Sequence, residues 1–414
     1  MMLVGLAIRL CVIPFVCGEY SNPMARREYE GVAQSIALGH GFSNAFADIG
    51  PSALMPPVYS LILGGIFKVF GIHTKTSILV ALGLNSFFSA LTCIPVFSIA
   101  RRCFSRRVAL WAGWGWAFSP YGIYYGAEHM WSTSLAGLLL CLLFLLTLLL
   151  QDSTRLVHWI GYGLLWGFIA LTEPMALSTL PLLAGWACYR LHRRGAHWRS
   201  PAAIAALALV VFISPWFIRN YRVFHQFIPF RDGFGLELYV GNSGDSSYWV
   251  AKQLHPNHSE AEMQEYIRLG EIRYMARKRE QAFDFISQHP DWFARTSLRR
   301  AVYMWTGYWS FDRDYLKEEP LDPPNVFLRT TLTVLMLLGL CRLFRENAAL
   351  AFPFAAVLLC FPALYYFTQT NPTYIHPLDP LIVLLVVYFL VGRKHLPKAS
   401  VDSMAKAMPV ENNY

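Results

Sequence analysis

Charge is what this chain has little of. Asp, Glu, Lys and Arg together make up 15% of its 414 residues, against 55% hydrophobic residues. A soluble domain carries about 25% charged residues, so most of this chain has no water to face, and a soluble globular protein is excluded. Cysteine is missing where a disulfide framework would need it. The eight cysteines, at 11, 17, 93, 103, 141, 188, 341 and 360, lie in or beside apolar runs and none falls in a long polar stretch. Free, buried, structural thiols are the expectation. The histidines lack ligand spacing such as His-x3-His, so their pattern does not support a metal site. There is no convincing internal repeat. Net charge is +9, which on a soluble protein would suggest nucleic acid. Here the basic residues cluster beside apolar runs, where a membrane protein needs them, and no nucleic-acid partner is expected.

What is present in abundance is apolar sequence, with a mean hydropathy of +0.37 and 13 Trp suited to interfacial belts. A spanning helix needs ~20 mostly apolar residues, and ~17 can suffice. The runs that qualify are 2–17, 78–100, 108–125, 132–150, 158–173, 174–190, 201–218, 325–343, 348–367 and 377–393. Residues 56–72 are also apolar, but Pro56-Pro57, Gly64-Gly65 and Lys68 make them a helix lying against the bundle. The expectation is an all-α polytopic membrane protein of about ten transmembrane helices. Interfacial helices belong to its first outer loop, and a small soluble region covers its outer face. Residues 1–218 hold the first seven spans and the loop 18–77, residues 219–324 form a long non-cytoplasmic stretch, 325–393 hold the last three spans, and 394–414 are a cytoplasmic tail.

Orientation follows the Lys/Arg excess of short loops. Arg101, Arg102, Arg106 and Arg107 lie between the second and third runs, and Arg190, Arg193, Arg194 and Arg199 between the sixth and seventh. Arg342 and Arg345 follow the eighth, and Arg393, Lys394 and Lys398 follow the last. With ten spans all four clusters fall on one side, the cytoplasm. Both termini join them, while 18–77 and 219–324 face outward.

The first outer loop carries the most information. Within 26–42, Tyr29, Val32, Ala33 and Ile36 recur at helical spacing, and Gly39 and Gly41 suit the end of a helix. Glu28 and Glu30 then occupy its first turn, where the helix dipole favours an ionised carboxylate. Such a pair can provide a general base or a cation site, or can simply cap the helix.

Leu6-Ala7-Ile8-Arg9-Leu10, the acidic pair before a Tyr-x-x-x-Ala helix, and the Gly-His-Gly-Phe that ends it resemble the polyprenol-dependent GT-C glycosyltransferases. Pro56-Pro57-Val58-Tyr59 and Phe67-Lys68-Val69-Phe70-Gly71 follow in that family's order, and the likeness resumes at Ser214-Pro215-Trp216-Phe217-Ile218-Arg219-Asn220 and Gly241-Asn242. The branch most similar is the dolichyl-phosphate-mannose protein mannosyltransferase and aminoarabinose transferase group. The resemblance implies a glycosyltransferase, hexosyl or pentosyl, that moves a sugar from a polyprenyl-phosphate carrier to a lipid, glycan or protein acceptor on the non-cytoplasmic face. It implies that Glu28, with Glu30 as near alternative, supplies the acidic residue of the first loop, and that Lys68 contacts the carrier phosphate. Where the family more often has an Asp, this chain reads Glu-x-Glu, one methylene longer.

Arg219 emerges at the same interface and joins Lys68 as a candidate contact to the carrier phosphate, and both also read as interfacial anchors. Glu128 begins a span on the side of Glu28, where the family often has a second acid, so it joins the candidates. Glu173 reads as the outer turn of a hairpin. Arg9 lies mid-span, where an unpaired charge costs ~2.5 kcal/mol or more, and Glu19 or Glu28 is its expected partner. Asp312-Arg313-Asp314 reads as a solvated turn, and residues near 260–288 as a mixed-charge helix in a soluble cap. The competing function class is a transporter or flippase of a lipid-linked solute, which would show inverted repeats and broken spans.

Overall fold

The computed structural model describes residues 1–16, 28–128, 130–244 and 253–392. Glu19, Cys17, the basic cluster Arg393, Lys394 and Lys398, and the tail 394–414 lie outside the described residues. The described chain is helical throughout, and its nearest approach to a sheet is one antiparallel bridge, Ser43 to Pro51.

Five helical stretches are long and apolar enough to cross a membrane: Lys75–Cys103, Thr133–Leu150, Arg199–Phe224, Asp322–Phe367 and Pro372–Val391. The other apolar runs form shorter or broken helices. Met2–Val16 and Leu156–Ala170 have 15 residues each, or roughly 22 Å at the α-helical rise. The run 108–125 divides into Arg106–Ala117 and Pro120–Glu128, with Pro120 opening the second piece. The run 174–190 begins as the 3-10 turn Pro174–Thr179 before Leu180–Arg193. Asp322–Phe367 is itself three pieces, because Asn347 leaves helical geometry at φ −157°, ψ 87° within Asp322–Cys360 and Ala363–Phe367 follows as a separate turn of helix. Hydropathy registers apolar content but not these breaks, which proline and the local backbone impose.

Basic loops converge on one end of the bundle. Asp152 pairs with Arg102 of one loop at 2.6 Å and with Arg194 of another, and Arg190 donates to Gln151 at 3.3 Å. Arg342 donates to the Gly392 carbonyl at 2.9 Å. The seven described cysteines are free. Cys93 and Cys141 are buried as expected, whereas Cys11 and Cys341 lie on exposed helix faces, where an apolar environment outside the protein replaces its own core.

Arg9 is completely buried, but the expected pairing with Glu28 does not form. Its guanidinium donates to Ser89 Oγ at 3.0 Å and to the carbonyls of Gly122 (2.9 Å), Gly5 (2.9 Å), Ala117 (3.0 Å) and Trp116 (3.1 Å). Trp116 and Ala117 end the helix Arg106–Ala117. Carbonyls at a helix C-terminus have no intrahelical partner and carry its negative pole, so they satisfy a buried cation.

At the opposite end, the first-loop helix Glu28–Ala37 packs on the helix Pro57–Phe70. Glycine permits that approach: a Cβ on Gly64 would meet Ile36 at 2.7 Å. On the other flank a Cβ on Gly31 would meet the Ala45 carbonyl at 2.4 Å. Val32, Ala33, Phe46, Tyr59 and Leu63 of this loop share one apolar core with Tyr266, Tyr274 and Met275 of the cap. The cap comprises Phe234–Gly241, Glu260–Leu269, Glu271–Gln288 and Pro290–Thr306. Buried Lys278 joins two of its helices, reaching Glu262 at 2.6 Å and Glu265 at 2.9 Å. First loop and cap are thus one packed unit.

Candidate active site

A cavity of about 220 Å³ opens at the end of the bundle that carries the cap. Glu28 and Tyr29 reach it from the first-loop helix, and Glu173 from the hairpin turn. Arg231 reaches it from the loop after Arg199–Phe224, Glu237 from the cap helix Phe234–Gly241, Tyr365 from the end of Asp322–Phe367 and Tyr374 from the start of Pro372–Val391. The aromatic wall is ordered. Tyr365 and Tyr374 stack at 4.5 Å, and Trp131 lies parallel to Tyr374 at 6.4 Å.

Glu28 Oε1 lies 3.1 Å from His255 Nε2. Burial opposes the charge on Glu28, but the hydrogen bond from His255, with the charge of Arg231 nearby, prevails and holds its carboxyl below the usual range. Glu28 is therefore ionised near neutral pH. Arg231 Nη2 is 3.3 Å from Glu237 Oε1, and Gln369 donates to Oε2 of that carboxylate. Burial works against Arg231 as well, yet Glu237 and Glu28 keep its guanidinium charged and above its ordinary value. Glu173 accepts from the Tyr365 hydroxyl at 3.3 Å, and burial pushes its carboxyl up. The site thus holds the ionised Glu28 carboxylate in the same cavity as a cation fixed by Glu237, between aromatic walls. That pairing can take a proton from an incoming hydroxyl and hold a departing anion in one chamber.

Of the residues singled out in the sequence, Glu28 lines this cavity, and so does Glu173, which the sequence placed only at a hairpin turn. Glu30, two residues and so about 200° further round the helix, is buried on the other side, 3.6 Å from His73 Nδ1. Glu128 is buried outside the cavity wall, where the Tyr124 hydroxyl donates to it at 2.5 Å. Lys68 is exposed in the last turn of Pro57–Phe70 and forms no part of the wall. Arg219 donates to the Phe42 carbonyl at 2.6 Å and the Ser52 carbonyl at 2.8 Å, which ties the first loop to the end of Arg199–Phe224. Asp312 caps the short helix Arg313–Glu318 by accepting from the Asp314 and Tyr315 backbone. Sequence reading passed over Arg231, Glu237, His255, Tyr365 and Tyr374. The available signal for Arg231 was an arginine directly after the apolar Phe227-Ile228-Pro229-Phe230, in the short loop that follows a span.

Next to Arg231 lies a second carboxylate. The Asp232 backbone N–H donates to the Ala53 carbonyl at 3.0 Å, while Glu271 accepts from the Ala53 N–H at 2.6 Å. One first-loop residue is therefore gripped from both sides. Burial, with Glu271 adding like charge, pushes Asp232 up to about 7. A folded-state pKa above the unfolded value means that the native protein binds the proton more tightly. Stability is then fully present below about pH 4 and falls as pH rises towards 7. Asp232→Asn is expected to remove that slope, raising the melting temperature by a few degrees at pH 8 and little at pH 4. Thermal unfolding at the two pH values in one detergent checks this, and an equal effect at both would refute it.

This fold, a bundle of apolar helices with an acidic first-loop helix under a cap, resembles that of the GT-C glycosyltransferases. Residues 55–218 match the family described as dolichyl-phosphate-mannose-protein mannosyltransferase. Two solved oligosaccharyltransferase structures from Archaeoglobus fulgidus share the fold. One, in complex with zinc and sulfate, is 12% identical with a TM-score of 0.51, over 94% of this chain and 48% of that one. The other, AglB with an inhibitory peptide and a dolichol-phosphate, is 14% identical with a TM-score of 0.52, over 100% of this chain and 52% of its own. ArnT from Cupriavidus metallidurans, bound to undecaprenyl phosphate, is 13% identical with a TM-score of 0.43, over 94% of this chain and 77% of that one. The chain spans about half the length of the two oligosaccharyltransferases. No curated protein matches it.

Proposed function

We propose that the protein is a membrane glycosyltransferase that moves a sugar from a polyprenyl-phosphate carrier to an acceptor on the non-cytoplasmic face. The observation that carries the reading is the placement of ionised Glu28 and half-buried Arg231 on the wall of one cavity, at the end of the bundle opposite the basic loops. Positive loops mark the cytoplasmic end, so the cavity faces outward and a ten-segment crossing is part of the proposal. A polyprenyl phosphate cannot leave the bilayer, so its sugar phosphate lies at the interface and the site must lie there too. In the reaction, the acceptor oxygen attacks the anomeric carbon while the bond from that carbon to the phosphate oxygen breaks. The electron pair leaves with the phosphate, whose growing charge Arg231 faces, and the acceptor proton passes to Glu28. The aromatic wall of Trp131, Tyr374 and Tyr365 suits the apolar face of a sugar ring.

Purified protein in lipid vesicles tests this with polyprenyl-phosphate mannose, polyprenyl-phosphate glucose and polyprenyl-phosphate aminoarabinose as donors. Release of polyprenyl phosphate, with the sugar appearing on an added acceptor or on water, is the expected result. Movement of an intact donor across the bilayer with no bond broken would establish a flippase in its place. The proposed orientation has its own check. A single cysteine at Asp284, in the cap helix Glu271–Gln288, should react with an impermeant maleimide from the outer side and one at Ser105 only from the cytoplasmic side. The reverse pattern would overturn the assigned face.

A further inference from the structure

The structure assigns His255, from the cap, as a positioning residue that holds the Glu28 carboxylate and fixes which of its oxygens is left for the acceptor. The inference rests on the reading of Glu28 as base and adds to it a partner, a tautomer and a direction. His255 Nε2 lies 3.1 Å from Glu28 Oε1, and both side chains are 16% exposed. On the other side of the ring, the backbone N–H of Asn257 donates to His255 Nδ1 at 3.2 Å. A ring nitrogen that accepts a hydrogen bond carries no proton, so the proton of the neutral imidazole is on Nε2 and points at Glu28. Glu28 Oε1 is thereby committed, and Oε2 is the atom that takes the acceptor's proton.

The ring itself is held. Phe46, buried in the first loop, meets it edge to face at 5.3 Å. The His255 carbonyl accepts from the backbone of His258 at 2.9 Å and of Ser259 at 3.1 Å, and Ser259 then caps the helix Glu260–Leu269. A neutral donor suits this task, since it steadies a carboxylate without neutralising it. The other groups that face the pair are Arg231 from the loop after Arg199–Phe224, His258 on the cap, and Tyr29 and Tyr374 on the cavity wall. None of them accounts for the orientation of the imidazole, which the Asn257 amide sets.

A lipophilic carbodiimide reacts with protonated carboxyls, so the pH at which it labels Glu28, read by mass spectrometry on the full-length protein, reports this contact without any substrate. His255→Phe keeps the ring and loses the donor. It should move the labelling midpoint to higher pH. At a fixed pH above the midpoint, labelling should rise on the order of tenfold for each whole pH step the midpoint moves. His255→Gln places an amide N–H where Nε2 stood and should label like the parent. His255→Asn, whose amide reaches only the position of Nδ1, should label like His255→Phe. The Gln and Asn pair decides the matter if the Phe variant does not fold. A midpoint unmoved in both His255→Phe and His255→Asn overturns the assignment while leaving Glu28 as base. If Glu28→Gln transfers sugar at the parent rate, the function fails even where the midpoint moves.

Discussion

Glu28→Gln should lower sugar transfer by roughly 10²-fold or more, the usual contribution of general acid–base catalysis, with expression and membrane insertion unchanged. The substitution keeps shape and removes the charge of the carboxylate on the cavity wall. His255 still has an oxygen to donate to, so the hydrogen bond survives and the effect isolates the proton acceptor. Glu30→Gln is the internal control. Glu30 is on the same helix but faces away from the cavity, towards His73, so its loss should leave the rate within a few fold of the parent. Rates measured on the two variants under saturating donor make the comparison. Loss of transfer in Glu30→Gln with retention in Glu28→Gln would move the assignment within the pair, and two parent-like variants would end the catalytic reading of this loop.

Arg231→Ala should weaken binding of the carrier's phosphate by roughly 10-fold to 100-fold, the range for a hydrogen bond to a charged group. The cation is half-buried, so solvent replaces it only in part. Its removal leaves Glu28, Glu173 and Glu237 facing an anionic ligand without a counter-charge on the wall. Lysine at this position should recover part of the loss, since it restores charge without the bidentate fork. The same titration with undecaprenyl phosphate ranks the other two proposed cations. Lys68→Ala should have little effect if Lys68 only snorkels, and a loss matching that of Arg231→Ala would make it a second phosphate contact. Arg219→Ala releases the carbonyls of Phe42 and Ser52, so it should lower thermal stability more than affinity. Parent-like binding by Arg231→Ala would remove Arg231 from the phosphate site.

Much of this was legible in the chain because it is local. Apolar runs, the amphipathic repeat Tyr29, Val32, Ala33 and Ile36, the glycines that end that helix, and the basic loops are properties of neighbouring residues and survive without knowledge of the fold. They place a helix with two acids in its first turn, and its phase separates Glu28 from Glu30 by about 200°. Which of the two faces the cavity was not legible, since that depends on what lies across from each. Nor was the fate of Arg9 readable. Its charge is met by carbonyls at the helix end before Pro120, and no acidic residue in the sequence announces such a partner.

The sequence by itself determined a membrane bundle, its basic and acidic ends, and an acid-bearing first loop, because hydropathy and helical period act over a few residues at a time. Only the tertiary structure decided that Arg231, Glu237, Tyr365, Tyr374 and His255 meet Glu28. His255 is 227 residues from its carboxylate partner, and Tyr365 is 192 residues from Glu173. These contacts exist because the cap and the first loop share one apolar core, and burial in that core sets which charges are held and which carboxyls are pushed towards protonation.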